Sequence, residues 1–241
     1  MSTSTRGRFG MAIITVAMLV VLVGLGIWQL QRKQEKQQLI AALNERLAAA
    51  PVALPPPSEW GGLTASRDEF RRVKVLAQFD VARDARVYTS GSALRPDVSG
   101  LGTWVFMPAR IASGGTMVVN RGFLPEGAAL LTGVVANPPV ELVGYLRFPE
   151  SPGWFTPKPD VAKHLWFARD SLDMAQMLGW GQVAPFYLDL EGPVPPSGLP
   201  KAGPLDVQLR DQHLQYAMTW FGLAIVVAIA AMFWFRSQRR A

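Results

Sequence analysis

The sequence predicts a membrane protein in which two transmembrane α-helices flank a mainly β (α+β) extracytoplasmic domain. Three observations lead there. Residues 11–30 and 214–235 are uncharged apolar runs of 20 and 22 residues, and about 20 helical residues cross a hydrocarbon core of roughly 30 Å. The chain between them breaks into short segments rich in β-branched and aromatic residues, punctuated by Gly, Pro, Asn and Asp. The net charge of +6 sits around the apolar runs: Arg6, Arg8, Arg236, Arg239 and Arg240 put +5 into the two tails, leaving +1 for the rest. A nucleic-acid binder gathers its excess charge on a folded surface, so the expected partner is membrane lipid and not nucleic acid. The hydrophobic share of 49% with only 17% charged residues excludes a disordered chain. The 19 Pro and 22 Gly exclude an all-helical bundle. Without cysteine there is no disulfide framework, thiolate metal site, Fe–S cluster or Cys nucleophile.

The elements follow in order. Residues 1–10 form a cytoplasmic tail and 11–31 the first span. The apolar run is too long for a signal-peptide core, and it leads into Gln31-Arg32-Lys33-Gln34-Glu35-Lys36 instead of a cleavage site, so an uncleaved anchor is expected. Residues 32–210 make the outer domain. It opens with a helical stalk, because strong helix formers run to about residue 49, where Pro51 and Pro55-Pro56-Pro57 stop it. Strands are expected over 70–79, 86–89, 103–111, 116–123, 140–148, 165–168 and 186–190, spaced as in an antiparallel sheet or barrel. Residues 171–178 read as one short helix, with Asp170 as its cap and Asp173 at the third helical position. Residues 194–204 are a Pro/Gly-rich connector. The second span occupies 211–235 with Asp211 as N-cap, and 236–241 is the second cytoplasmic tail. Three Arg after this span, against Arg210 before it, put both termini in the cytoplasm. The main domain then faces the periplasm of a bacterial inner membrane.

Little in the outer domain suggests catalysis. No Ser stands in a Gly-x-Ser-x-Gly elbow, and of two histidines only His164 lies well inside the domain. It reads as a partly exposed residue at a strand start, near Asp160, Asp170 and Asp173. Met174 and Met177 are three apart on the short helix, which suits packing better than a Cu(I) pair. The Gly pairs at 61–62 and 114–115 lack a Walker lysine. A non-enzyme is expected.

His213 is different. It falls in the first turn of the second span, at the outer interface, and offers the imidazole nitrogen that a metal or a haem iron needs. Positions 213, 216, 217, 220 and 224 share one helix face, reading His, Tyr, Ala, Trp, Ala. A flat apolar macrocycle suits that face, and so does an interfacial aromatic belt with one His in it. The first span ends in Gly26-Ile27-Trp28-Gln29-Leu30-Gln31-Arg32. Antiparallel spans bring these residues to the same membrane face as His213. Gln29 adds a polar group there. Arg32 either pairs with a propionate-type carboxylate or snorkels to headgroups.

These clusters resemble the surfeit locus protein 1 family, membrane assembly factors for cytochrome c oxidase. The family's Gly-x-Trp-Gln-x-x-Arg motif and following Lys match Gly26, Trp28, Gln29, Arg32 and Lys36. Its Val-Asn-Arg-Gly motif matches Val119, Asn120, Arg121 and Gly122, then Pro125. Its His-Leu-x-Tyr-Ala-x-Thr-Trp motif matches His213, Leu214, Tyr216, Ala217, Thr219 and Trp220. Order and layout agree across nearly the whole chain. Two positions depart from the pattern: Glu35 stands where many relatives carry an aromatic before the lysine, and Phe123 where the Arg-Gly motif often continues with Trp. The resemblance implies binding of haem a, with His213 as iron ligand and Tyr216, Trp220, Trp28, Gln29 and Arg32 around it. It also implies work on the oxidase's catalytic subunit, beside the haem a synthesis machinery. A scaffold that holds that subunit without binding haem is the alternative.

Overall fold

A computed structural model describes residues 5–81, 83–130, 138–206 and 212–240. The expected extended stretch at 207–210 and the Asp211 cap lie outside them. The chain forms two compact units, one of Met1–Ala41 with Leu209–Ala241 and one of Ala42–Gln208.

The first unit is a pair of helices, α1 (Thr5–Ala48) and α4 (His213–Arg240). Both are long and apolar enough to cross a membrane. At 1.5 Å per residue the 44 residues of α1 extend about 66 Å, twice a hydrocarbon core, so the expected stalk is a continuation of the same helix. It stops three residues before Pro51, whose ring nitrogen has no N–H to donate. Gly26, buried, lies directly under the ring of Phe221 of α4, so the two helices run antiparallel with small residues where they meet. Ala217 and Ala224 of α4 are 1% and 7% exposed, on the same seam.

The second unit is built, among the described residues, on eight strands: β1 (Val52–Ala53), β2 (Arg72–Phe79), β3 (Ala85–Gly91), β4 (Ser99–Ile111), β5 (Thr116–Pro125), β6 (Val140–Arg147), β7 (Leu165–Trp166) and β8 (Tyr187–Gly192). Their order is β1-β2-β6-β8-β5-β4-β3-β7, and β2 also pairs with β4. That extra ladder, Ala77 opposite Ile111 through Phe79 opposite Ala109, closes β2, β6, β8, β5 and β4 into a five-membered ring. The long β4 makes this possible: one end pairs with β3 while the other turns onto β2. The sheet is mixed where the spacing suggests purely antiparallel strands, since β1–β2, β3–β7 and β5–β8 are parallel.

β5 is covered on both faces. Met117 and Val119 join one apolar cluster with Val73, Leu142, Phe186 and Leu188. Val118 joins another with Trp104, Phe106, Trp166 and Met174. This is why its sequence is a continuous apolar run and does not alternate. The second cluster is roofed by α3 (Ser171–Met177), where Asp170 caps as expected by accepting from the amides of Leu172 and Asp173. The Asp173 side chain serves a tertiary contact instead. Its carboxylate accepts from Trp166 Nε1 at 2.8 Å, tying α3 to β7. Four short elements escape the sequence pattern: β1, α2 (Ala65–Asp68), a 3-10 segment at Val161–Lys163 and a 3-10 turn at Pro57–Gly62. The turn delivers Trp60 edge-on to Phe186, with ring centroids 5.5 Å apart.

Candidate functional site

Four of the expected site residues, Trp28, Gln29, His213 and Tyr216, come together at the N-terminal end of α4. His213 Nδ1 lies 2.8 Å from Gln29 Oε1 of α1. The amide oxygen carries no hydrogen, so Nδ1–H donates, and the imidazole is held in the tautomer whose Nε2 bears the lone pair. An imidazole oriented through its far nitrogen is the arrangement that supports a metal ligand. A cleft of about 290 Å³ surrounds this pair, walled by Trp28, Gln29, Lys36, Gln212, His213 and Tyr216. Trp28 and Tyr216 are 50% and 53% exposed, so each ring presents a face at the cleft's edge.

Trp220 and Arg32 are not among the walls. Trp220 is half-buried, and Arg32 is turned to the open side of α1, where Nη1 meets Glu35 Oε2 at 2.9 Å. The cation in the cleft is Lys36, seven residues after Gln29. Two helical turns bring such a pair back to one face, so the spacing itself points to Lys36. Gln212 had no such signal; it enters because the helix begins beside it.

The remaining histidine is structural. His164 takes a left-handed conformation (φ 53°), and its Nδ1 donates to the Asp84 carbonyl at 2.9 Å, pinning β7 to β3. Met174 is fully buried while Met177 is 51% exposed, so the two do not face one ligand. Among the described residues no three His, Asp or Glu side chains gather as metal ligands.

The central motif has a separate role inside the β unit. Asn120, fully buried, donates from Nδ2 to Asp189 Oδ1 at 2.6 Å and accepts from the Gly122 amide at 3.1 Å. Asp189 faces Arg147, whose Nε meets Glu69 Oε1 at 3.1 Å and whose guanidinium lies over Phe70. Gly122 has φ 121°, and a Cβ there would stand against the Lys201 carbonyl and 2.5 Å from the Ala202 amide nitrogen. The connector therefore runs directly over β5, and only glycine lets it approach so closely. Arg121 points the other way. Its guanidinium lies 4.9 Å from the Phe79 ring centroid, its Nη1 is 3.4 Å from Met107 Sδ, and among the described residues no carboxylate pairs with it. Burial pushes its pKa below the ordinary guanidinium value.

Comparison with known proteins covers nearly all of this architecture. The model described as the SURF1 family matches residues 16–225. Surfeit locus protein 1 of Rattus norvegicus is 33% identical over 228 residues, spanning 88% of this chain and 71% of that protein. Surfeit locus protein 1 of Homo sapiens is 32% identical over 238 residues, spanning 92% and 75%. A SURF1-like protein of Monosiga brevicollis is 32% identical over 254 residues, spanning 99% and 91%.

Proposed function

The chain belongs to the SURF1 family, and on that premise we propose that it is a non-enzymatic assembly factor for cytochrome c oxidase that binds haem a. It assists insertion of the haem into the oxidase's catalytic subunit, or stabilises it there. Its two apolar helices span the membrane with both termini in the cytoplasm, and the β unit lies outside, in the periplasm of a bacterial inner membrane. The single observation that carries the haem reading is the Gln29–His213 hydrogen bond of 2.8 Å.

The donor set fits an iron porphyrin, which supplies, when bound, an iron seeking an imidazole nitrogen and a flat apolar ring seeking apolar walls. Gln29 orients the His213 ring and holds its proton on Nδ1. Trp28 and Tyr216 provide aromatic surface on either side, one from each helix. Lys36 supplies a cation at the cleft's polar end, suited to a carboxylate substituent. Pairing the two helices assembles the site, because each contributes half of it.

The test is the spectrum of the protein purified from cells that make haem a. A Soret band is expected in the parent protein and in His164→Ala, whose histidine is committed to Asp84. The band should be lost or strongly reduced in His213→Ala, with normal protein abundance. Full haem occupancy in His213→Ala overturns the ligand assignment. A colourless parent protein that still supports oxidase assembly favours the scaffold reading.

A further inference from the structure

The β unit presents two aromatic side chains that nothing in it covers. Trp154 is 95% exposed and Phe155 is 94% exposed. The domain's other tryptophans, Trp60, Trp104, Trp166 and Trp180, are all buried. The exposed pair is held in place. The Gly153 amide donates to Thr156 Oγ1 at 2.9 Å and the Thr156 amide donates to the Gly153 carbonyl at 3.0 Å. Trp154 and Phe155 therefore occupy the two central positions of a closed turn. Pro152, Pro157 and Pro159 restrict the arms on either side. Rings of this size leave apolar surface in water at a cost of about 25 cal/mol per Å², and a rigid aromatic tip marks an interaction site.

We propose that this turn is an interfacial anchor: Trp154 and Phe155 insert at the headgroup boundary of the bilayer and dock the β unit on the membrane surface. Three arguments favour lipid as the occupant. The first is area: two aromatic rings offer roughly 300–500 Å², well short of the roughly 800 Å² per partner that a stable protein interface buries. Insertion of a small apolar tip into the headgroup region needs no more than this, and Trp is enriched at that depth. The second is charge. Of the acids at the base of the turn, Asp160 pairs with Lys163 at 3.1 Å, and Glu150 shares Arg147 with Glu69 and Asp189. The only charged residue between Glu150 and Asp160 is the exposed Lys158, so the one charge on the turn itself is positive and suits anionic headgroups. The third is tethering. The proposal rests on the reading that α1 and α4 span the membrane, and a domain so attached meets lipid at high effective concentration.

The absence of cysteine makes the test direct. Ser151→Cys places a unique label on the exposed arm of the turn and leaves both rings and Lys158 intact. The full chain carries an environment-sensitive fluorophore there and sits in nanodiscs of phosphatidylcholine and phosphatidylglycerol. Quenching by a nitroxide-bearing lipid is expected, with shielding from aqueous iodide. In the Trp154→Ser, Phe155→Ser background the lipid-borne quenching should be lost while the protein still co-elutes with lipid. A co-eluting parent whose probe is open to iodide and untouched by the lipid nitroxide overturns this proposal alone. Lipid quenching that survives removal of both rings also overturns it. A chain that elutes apart from lipid overturns the spanning reading and this anchor with it.

Discussion

The smallest scale at which function is argued is one hydrogen bond. Gln29 touches His213 Nδ1, and its role in the proposed site is to set a tautomer. Two substitutions separate that role from bulk packing. Gln29→Leu removes the acceptor and should lower haem content and shift the Soret band. Gln29→Glu keeps an acceptor oxygen and should retain most of the haem. Equal spectra for both variants would count against tautomer control. Gly122 gives a prediction of another kind. Its φ of 121° and the connector backbone above it leave no room for a methyl group. Gly122→Ala should cost on the order of 3 kcal/mol, from backbone strain together with overpacking. Chemical denaturation of the detergent-solubilised protein reads this directly, and a loss below about 1 kcal/mol would show that the connector can lift away.

The elements were legible in unequal degree, and the reason lies in what each depends on. The end of α1, the start of α4 within two residues, and α3 with its Asp170 cap follow from local chemistry: proline, apolar runs and, for α3, side-chain capping. Asp173 shows the limit of local reasoning. Its position satisfies a capping pattern, yet tertiary packing brings Trp166 Nε1 to it. In the helix pair, Gly26→Val should force the Phe221 ring aside, since even a Cβ would stand 2.5 Å from that ring. Loosened pairing moves Gln29 and His213 apart, so haem content should fall although no residue of the cleft is altered. Unchanged haem in Gly26→Val would mean that the pair tolerates the displacement. The 3-10 turn and α2 left no periodic signal, because six and four residues are too few to show one.

At the scale of the whole molecule, topology and acid sensitivity are the measurable properties. A reporter active only outside the cytoplasm should be silent when fused after Ala241 and active when inserted near Ser197. The reverse pattern would sink the arrangement proposed from the three C-terminal Arg. Acid should loosen the β unit from one identifiable clasp. Arg95 grips Asp97 through Nε and Nη2, both at 2.8 Å, and Lys201 meets the same carboxylate at 3.0 Å. Arg95 above all, with Lys201, holds the Asp97 carboxyl well below the usual carboxylate range. Such a group stabilises the fold above its unfolded pKa, near 3.9, and loses that contribution as pH falls toward the folded value. The connector should therefore begin to loosen below about pH 4 and detach only as pH nears the folded value, and hydrogen exchange at the Lys201 and Ala202 amides would report it. Asp97→Asn should show the faster exchange already at neutral pH.

The two apolar helices, the β-rich character of the unit between them, the helix stop before Pro51 and the family motifs were all readable along the chain. Each is written in residues adjacent in sequence or recurring at a helical or strand period. Packing was needed to settle the closed five-strand ring, the parallel pairings, and the partnerships of Asn120 with Asp189 and Gln29 with His213. The last pair is separated by 184 residues. Contacts of that separation leave no periodic trace in the chain, because they depend on which surfaces are buried together, and that is decided only when the whole molecule packs.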